Sequence, residues 1–230
     1  FFHHGIGTLV APMYGDELAG RGDSYLQLAL AGLRRLTESP FREFYDAEDI
    51  RVHFYGNYAQ NLSNVDPALI EDLEALEHDT ESHTGHRLFY GVCGESAVEV
   101  ITAHAAQLGR SLTRAEAIEA FYGEVISPAD IFIGFDAPTA FDMPLLDDGE
   151  VDLYFTEAPS PYIDRTTLRT ILYDWLYIRH GESVDYATLN REVWDYMRWY
   201  YRTHRHSVNG LGQRQSGIWY SLDDHGEVEK

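Results

Sequence analysis

Residues 86–109 read HRLFYGVCGESAVEVITAHAAQLG. The first seven are almost continuously apolar or aromatic, the pattern of a strand covered on both faces. The next loop carries glycine, and Val98, Ile101, Ala105 and Leu108 then recur at helical spacing until Gly109 stops them. A fully covered strand running into an amphipathic helix is half of a βαβ unit, and the rest of the chain repeats the alternation.

Upstream, GIGTLVAPMY (5–14) reads as a strand, followed by a helix lined by Tyr25, Leu26, Ala29, Leu30, Leu33 and Leu36. IRVHFY (50–55) is a second strand, and PALIEDLEALE (67–77) a helix with proline in its first turn. Downstream, Thr113 and Glu116 form a capping box for a helix ending at Gly123. DIFIGF (130–135) and VDLYF (151–155) are further strands. Leu168, Ile171, Leu172, Trp175 and Leu176 line a helix ended by Gly181; Tyr186, Leu189, Val193, Tyr196 and Tyr200 line the last one. No repeat or linker interrupts the series. The expectation is α/β: one domain over 1–230, an open, mostly parallel sheet covered by helices.

Ligands of such sheets bind outside the carboxyl ends of the strands. The loops there are rich in glycine, proline, aromatics and carboxylates: GDELAGRGDS, GNYAQNLSN, CGES, DAPTAFDMPLLDDGE and TEAPSPYIDR. Arg21 and Arg165 are their arginines, with Arg169 one helical turn further on. A guanidinium fits phosphate oxygens, so these are candidate anion-binding residues; the alternative is that they pair with Asp16, Glu17 or Asp164.

Composition narrows the classes. The 230 residues are 44% hydrophobic and 13% aromatic, which is globular. The net charge is −21, from 38 acidic against 17 basic residues, and Lys230 is the only lysine. Such a surface repels nucleic acid and anionic membranes; a high-salt cytosol is one setting that favours it. The single cysteine, Cys93, rules out an intramolecular disulfide and points to a reducing, cytoplasmic compartment. No stretch is long and apolar enough to be a transmembrane segment. The chain opens on Phe1 within FFHHGIG, which reads as a buried helix end running into a strand, so an upstream segment is expected.

Several motifs carry little. Arg21-Gly22-Asp23 spells an integrin-binding tripeptide, but Asp23 is placed to cap the helix beginning near Tyr25, and no integrin is needed to explain it. His83 with His86, and His204 with His206, lack a zinc framework. There is no Walker loop, GxGxxG or GxSxG. WDYMRWYYRTHRH carries five aromatics on one helix, which suits the core, a dimer interface or the wall of an apolar pocket.

The blocks together resemble the cis-prenyltransferase, or (Z)-prenyl synthase, fold family. VHFYGNYAQNL looks like its V-x-x-x-G-D-x-x-x-L element, and HRLFYGVCGESAVEV like its L-x-x-A-x-N-Y-G-G-R-x-E-I block. The chain is closer still to the tuberculosinol synthases and tuberculosinyl-adenosine transferases. The shared blocks are HGI, RGDxY, FYGxY, EAFYGE, ADIFIGF, FDMPLL, LYFT-x-APS-x-Y, TTLRxILYDxxYxRH and GIWY, in that order from about Gly5 to Trp219.

The resemblance implies ionisation of an allylic prenyl diphosphate, of C20 size, with capture of the cation by water or a nucleoside and release of diphosphate. It implies a catalytic role for Tyr25 and a diphosphate held by arginines and Mg²⁺; Arg21, Asn57, Arg165 and Arg169 are the candidate substrate-binding residues, and Asp16 and Glu17 the candidate Mg²⁺ ligands, with a turn or salt-bridge role for those two as the alternative. It implies a homodimer. It also implies a first strand with a D-G-x-x-R-W-type segment upstream of Phe1. The asparagine and tryptophan of the family's E-N-W-x-R element are replaced in Asp16-Glu17-Leu18-Ala19-Gly20-Arg21, a departure from chain-elongating members. The alternative is a catalytically silent scaffold or dimerisation subunit that keeps the fold.

Overall fold

The computed structural model describes residues 1–15, 20–94, 97–138, 144–179, 186–206, 208, 210–216 and 218–221. The chain divides into two compact units, Phe1–Pro128 with Asp142–Asp148, and Ala129–Phe141 with Gly149–Lys230.

The first unit runs β1 (Thr8–Gly15), α1 (Asp23–Leu36), α2 (Phe41–Ala47), β2 (Ile50–Tyr55), α3 (Tyr58–Leu62), α4 (Pro67–Thr80), β3 (His86–Gly94), α5 (Ala97–Leu108) and α6 (Arg114–Tyr122). The three strands form one parallel sheet in the order β1–β3–β2, with Val10 opposite Phe89 and Phe54 opposite Tyr90. The middle strand is the one quoted first above, and Leu88–Cys93 are buried without a break. Its continuous apolar run therefore has the predicted cause: both faces are covered. Leu33, Ile50, Leu69, Leu73 and Leu76 are fully shielded in the core, each contributing about 1.5–3 kcal/mol through burial.

Local signals set most helix ends. Asp66 caps α4, accepting from the Leu69 N–H at 3.2 Å ahead of Pro67. Thr113 and Glu116 make both halves of the capping box of α6, which ends at Gly123 with φ 81°. A Cβ at Gly123 would also fall 2.4 Å from the His53 ring, so only glycine fits there.

Two expectations need correction in this unit. Gly22, with φ 94°, is the N-cap of α1, and Asp23 is the first helical residue. It still places an acidic residue in the first turn, where the helix dipole favours negative charge. α5 ends at Gly109 as read, but none of its residues is buried, and Val98 is 72% exposed. Spacing shows that a helix has an apolar stripe; it does not show that the stripe is covered.

β2 lies at the edge of its sheet, where outward-facing backbone groups would be unpaired. α4 and the turn after it fill them with side chains. The Val52 N–H donates to Thr80 Oγ1 at 3.1 Å, and the Phe54 N–H to Glu77 Oε1 at 2.6 Å. His83 Nδ1 meets the Ile50 carbonyl oxygen at 2.9 Å.

The second unit holds β4 (Ile131–Phe135) and β5 (Asp152–Thr156), paired in parallel from Ile131 opposite Asp152 to Phe135 opposite Thr156. It continues with α7 (Arg165–Asp174), α8 (Arg191–Thr203) and an antiparallel hairpin, β6 (Gly212–Gln215) and β7 (Ile218–Ser221), which the sequence patterns did not signal. α7 runs into a π-helical turn, Trp175–Arg179; the predicted stop at Gly181 lies outside the described residues. The turn sends Arg179 back over the Tyr154 ring at 3.9 Å, where it bonds Asp174 at 2.8 Å and Asp152 at 3.3 Å. Tyr154 donates to Asp174 at 2.7 Å, and burial followed by that bond pushes its phenol up to about 12.

α8 begins later than the periodicity suggests. Asn190 caps it by accepting from the Val193 N–H at 3.0 Å, leaving Tyr186 and Leu189 ahead of the helix. No residue of α8 is buried; Tyr196 is 62% and Trp199 54% exposed, which rules out the core reading of its aromatics.

Candidate active site

All three strands of the first unit point their carboxyl ends the same way, so Gly15, Tyr55 and Gly94 stand at one edge of the sheet. Tyr14 stands at the end of β1 with its phenol pushed up by burial and by the neighbouring Tyr25. A Cβ on Gly32 of α1 would lie 3.2 Å from the Tyr14 oxygen, so the missing side chain lets the phenol seat against the helix.

Arg21 and Tyr25 are brought together. Arg21 Nη1 donates to the Tyr25 hydroxyl at 3.3 Å, and the guanidinium carbon lies 5.3 Å from the ring centroid. Tyr25 is half-buried against the core while Arg21 is exposed. The tripeptide is thus part of a helix start, with its arginine folded onto the first turn of α1.

Asn57 stands at the end of β2, on the same edge. Its N–H donates to the Cys93 carbonyl at 3.0 Å and its Nδ2 to Gln60 Oε1 at 3.0 Å. The preceding Gly56 has φ 106°, and a Cβ there would fall 2.3 Å from the Val92 carbonyl oxygen. That close crossing of β2 and β3 fixes where Asn57 stands.

Arg165 and Arg169 lie in the second unit, exposed on the first turns of α7. Asp164 caps that helix, accepting from the Thr167 N–H at 2.7 Å, and this bond holds its carboxyl below the usual range. No ion pair of Arg165 occurs among the described residues. Asp16 and Glu17 lie outside the described residues. They offer the carboxylate oxygens that magnesium takes; among the described residues no group of three or more His, Cys, Asp or Glu is placed to hold a metal. His83 and His86 are engaged locally, the first on β2 and the second stacked on Phe2 at 4.7 Å.

Asp136, directly after β4, escaped the sequence reading. Its φ is 66°, its Oδ2 pairs with Arg214 of β6, and its Oδ1 is buried without a partner among the described residues. DAPTAFDMPLLDDGE reads as a strand-end loop, but a sequence carries no signal of the positive φ at Asp136.

Over 228 residues, 96% of this chain and 77% of its relative, the sequence is 39% identical to tuberculosinyl adenosine transferase of Mycobacterium tuberculosis. The chain belongs to the tuberculosinyl adenosine transferase branch of the cis-prenyltransferases. A second member of this set of relatives, (+)-kolavelool synthase of Herpetosiphon aurantiacus, is 28% identical over 234 residues, 96% of this chain and 75% of that protein. No protein-family model matches the chain. Among solved structures, a probable undecaprenyl diphosphate synthase of Campylobacter jejuni superimposes with a TM-score of 0.63 at 14% identity, covering 80% of this chain and 85% of that one. Lavandulyl diphosphate synthase of Lavandula x intermedia, in complex with dimethylallyl diphosphate, gives 0.62 at 14%, covering 75% and 77%. The tuberculosinyl adenosine transferase branch thus shares the (Z)-prenyl synthase fold, as its motifs implied.

Proposed function

We propose that the protein is an enzyme that ionises a C20 allylic prenyl diphosphate and delivers the cation to water or a nucleoside. The observation that carries this is the 39% identity to a tuberculosinyl adenosine transferase along nearly the whole chain. The Arg21–Tyr25 pair at the carboxyl edge of a parallel sheet supports it.

In this reading the C–O bond to the diphosphate breaks and the leaving group departs with the electron pair. The acceptor's lone pair then closes a bond to the allylic carbon. Arg21, Asn57, Arg165 and Arg169 bind the substrate, the arginines meeting diphosphate oxygens with charge-assisted hydrogen bonds. The Tyr25 hydroxyl, already receiving a hydrogen bond from Arg21, directs its own proton toward the leaving oxygen or the nucleophile. Magnesium, held by Asp16 and Glu17, would neutralise diphosphate charge. The protein acts in the cytoplasm as a homodimer, its residues 1–230 serving as one (Z)-prenyl synthase-like domain. The exposed aromatic face of α8 is suited to a subunit contact.

The test is to incubate the protein, as its gene encodes it, with geranylgeranyl diphosphate or a bicyclic C20 diphosphate and Mg²⁺, with and without adenosine. Diphosphate release with a prenyl alcohol or prenyl nucleoside is the expected result. No release from any allylic diphosphate of C10 to C25 would sink the proposal and leave the scaffold reading.

A further inference from the structure

β1 and β3 keep step from Thr8 opposite Arg87 to Pro12 opposite Gly91, and then slip. Tyr14 pairs with Val92, which leaves Met13 as an extra residue in β1. Strict alternation would put Tyr14 on the face of Val10 and Pro12. The bulge moves it to the face of Leu9 and Ala11, and all three pack against the core that α1 covers. β3 slips in turn: Gly15 pairs with Gly94, so Cys93 is extra there, with φ 53°. Two bulges thus sit at the carboxyl edge of one strand pair, where such sheets bind ligands and where bulges re-aim side chains.

Tyr14 is the side chain so re-aimed. Its oxygen lies 3.2 Å from where a Cβ of Gly32 would stand. Gly32 and Tyr25 are seven residues apart, about two turns, and so share one face of α1. Tyr14 therefore stands on the same wall as the Arg21–Tyr25 pair, further along the helix. Its hydroxyl has no hydrogen-bond partner among the described residues, and it is not one of the polar atoms shut off from solvent. Burial, followed by Tyr25, pushes the phenol up, so it stays a neutral O–H in neutral solution. Leu9, Ala11 and Leu26 make the surroundings apolar. A single hydroxyl on such a wall can donate to and accept from one small polar molecule.

We propose that Tyr14 holds the attacking water when the prenyl cation is captured as an alcohol, an assignment that rests on the enzyme reading above. The phenol oxygen accepts a hydrogen bond from the water, which turns the water's lone pair toward the allylic carbon. The C–O bond to diphosphate breaks, its electron pair leaves with the diphosphate, and the water oxygen closes the new C–O bond. The surplus proton passes to the released diphosphate, so Tyr14 orients the nucleophile and ends the step unchanged. A nucleoside brings its own lone pair and does not need this hold. Tyr14 therefore weighs on the partition between the two products.

The experiment measures both products from a C20 allylic diphosphate with Mg²⁺, with and without a fixed level of adenosine, for the wild type, Tyr14→Phe and Gly32→Ala. Tyr14→Phe keeps the ring and removes only the oxygen. Gly32→Ala sets a methyl 3.2 Å from that oxygen, in a helix that favours alanine over glycine, so its effect does not come from weakening α1. Both substitutions are expected to lower the ratio of prenyl alcohol to prenyl nucleoside while the KM for the diphosphate holds. For Tyr14→Phe the fall is roughly three- to tenfold, the worth of one hydrogen bond, and without adenosine the kcat for the alcohol falls by the same factor. An unchanged ratio and kcat in Tyr14→Phe overturn the proposal. So does a parallel fall of both products, which would make Tyr14 merely structural, or a raised KM, which would put its hydroxyl on the diphosphate. A wild type that releases diphosphate but forms no alcohol overturns it as well. If the wild type releases no diphosphate at all, the enzyme reading falls, and this assignment with it.

Discussion

Glu116 anchors the start of α6 by accepting four bonds: two in a fork from Arg110, one from the Thr113 N–H at 2.8 Å and one from the Thr113 hydroxyl at 2.9 Å. The Arg110 bond foremost, and then Thr113, lower its carboxyl from 4.5 to about 2. Because the folded value is depressed, its stabilisation is fully present above pH 4.5 and fades as pH falls toward 2. Glu116→Gln is therefore expected to lower the denaturation midpoint at neutral pH and to show a flatter decline than wild type through that acid window; matching profiles would refute this. At Tyr25, removing the hydroxyl leaves the packed ring in place, so Tyr25→Phe should reduce kcat by roughly 10²–10⁴-fold with normal folding if the phenol takes part in proton transfer. Steady-state kinetics beside circular dichroism decide it. These two residues also show how unevenly sites can be read. The capping box was legible because both partners lie within four residues of each other. Tyr25 and Arg21 came from a motif, and Asp136 was hidden because Arg214 lies far along the chain and sequence carries no record of φ.

Strands β2, β3 and β4 and helix α4 fall where the apolar runs and the proline place them, since short-range pattern and burial agree there. Disagreement begins where an element's apolar face is left open, as on α5 and α8, or where glycine replaces a side-chain cap, as at α1. Within α4, Leu73 is fully buried, so Leu73→Ala should cost about 2–5 kcal/mol in urea unfolding. The same buried face carries Thr80, whose hydroxyl donates to the Leu76 carbonyl at 2.9 Å while accepting from the Val52 N–H. Thr80→Val keeps the shape but strands the Val52 N–H, a loss of about 1–3 kcal/mol. A neutral result in the same assay would mean that the edge of β2 does not need its partner.

For the whole molecule, a net charge of −21 sets a self-repulsion that salt should relieve. The melting temperature is expected to climb steadily from low to molar KCl, each kcal/mol of relief raising it by about 2–4 °C for a chain this size. A flat or falling curve would show that local pairs, such as Arg34 with Asp66 at 2.6 Å and Asp72 at 2.8 Å, matter more than the overall field. The covered edge of β2 bears on dynamics as well. The amide hydrogens of Val52 and Phe54 are held by side chains of α4, so their exchange with deuterated solvent requires that helix to lift away. Two amides in a strand thereby become a clock for the undocking of a helix.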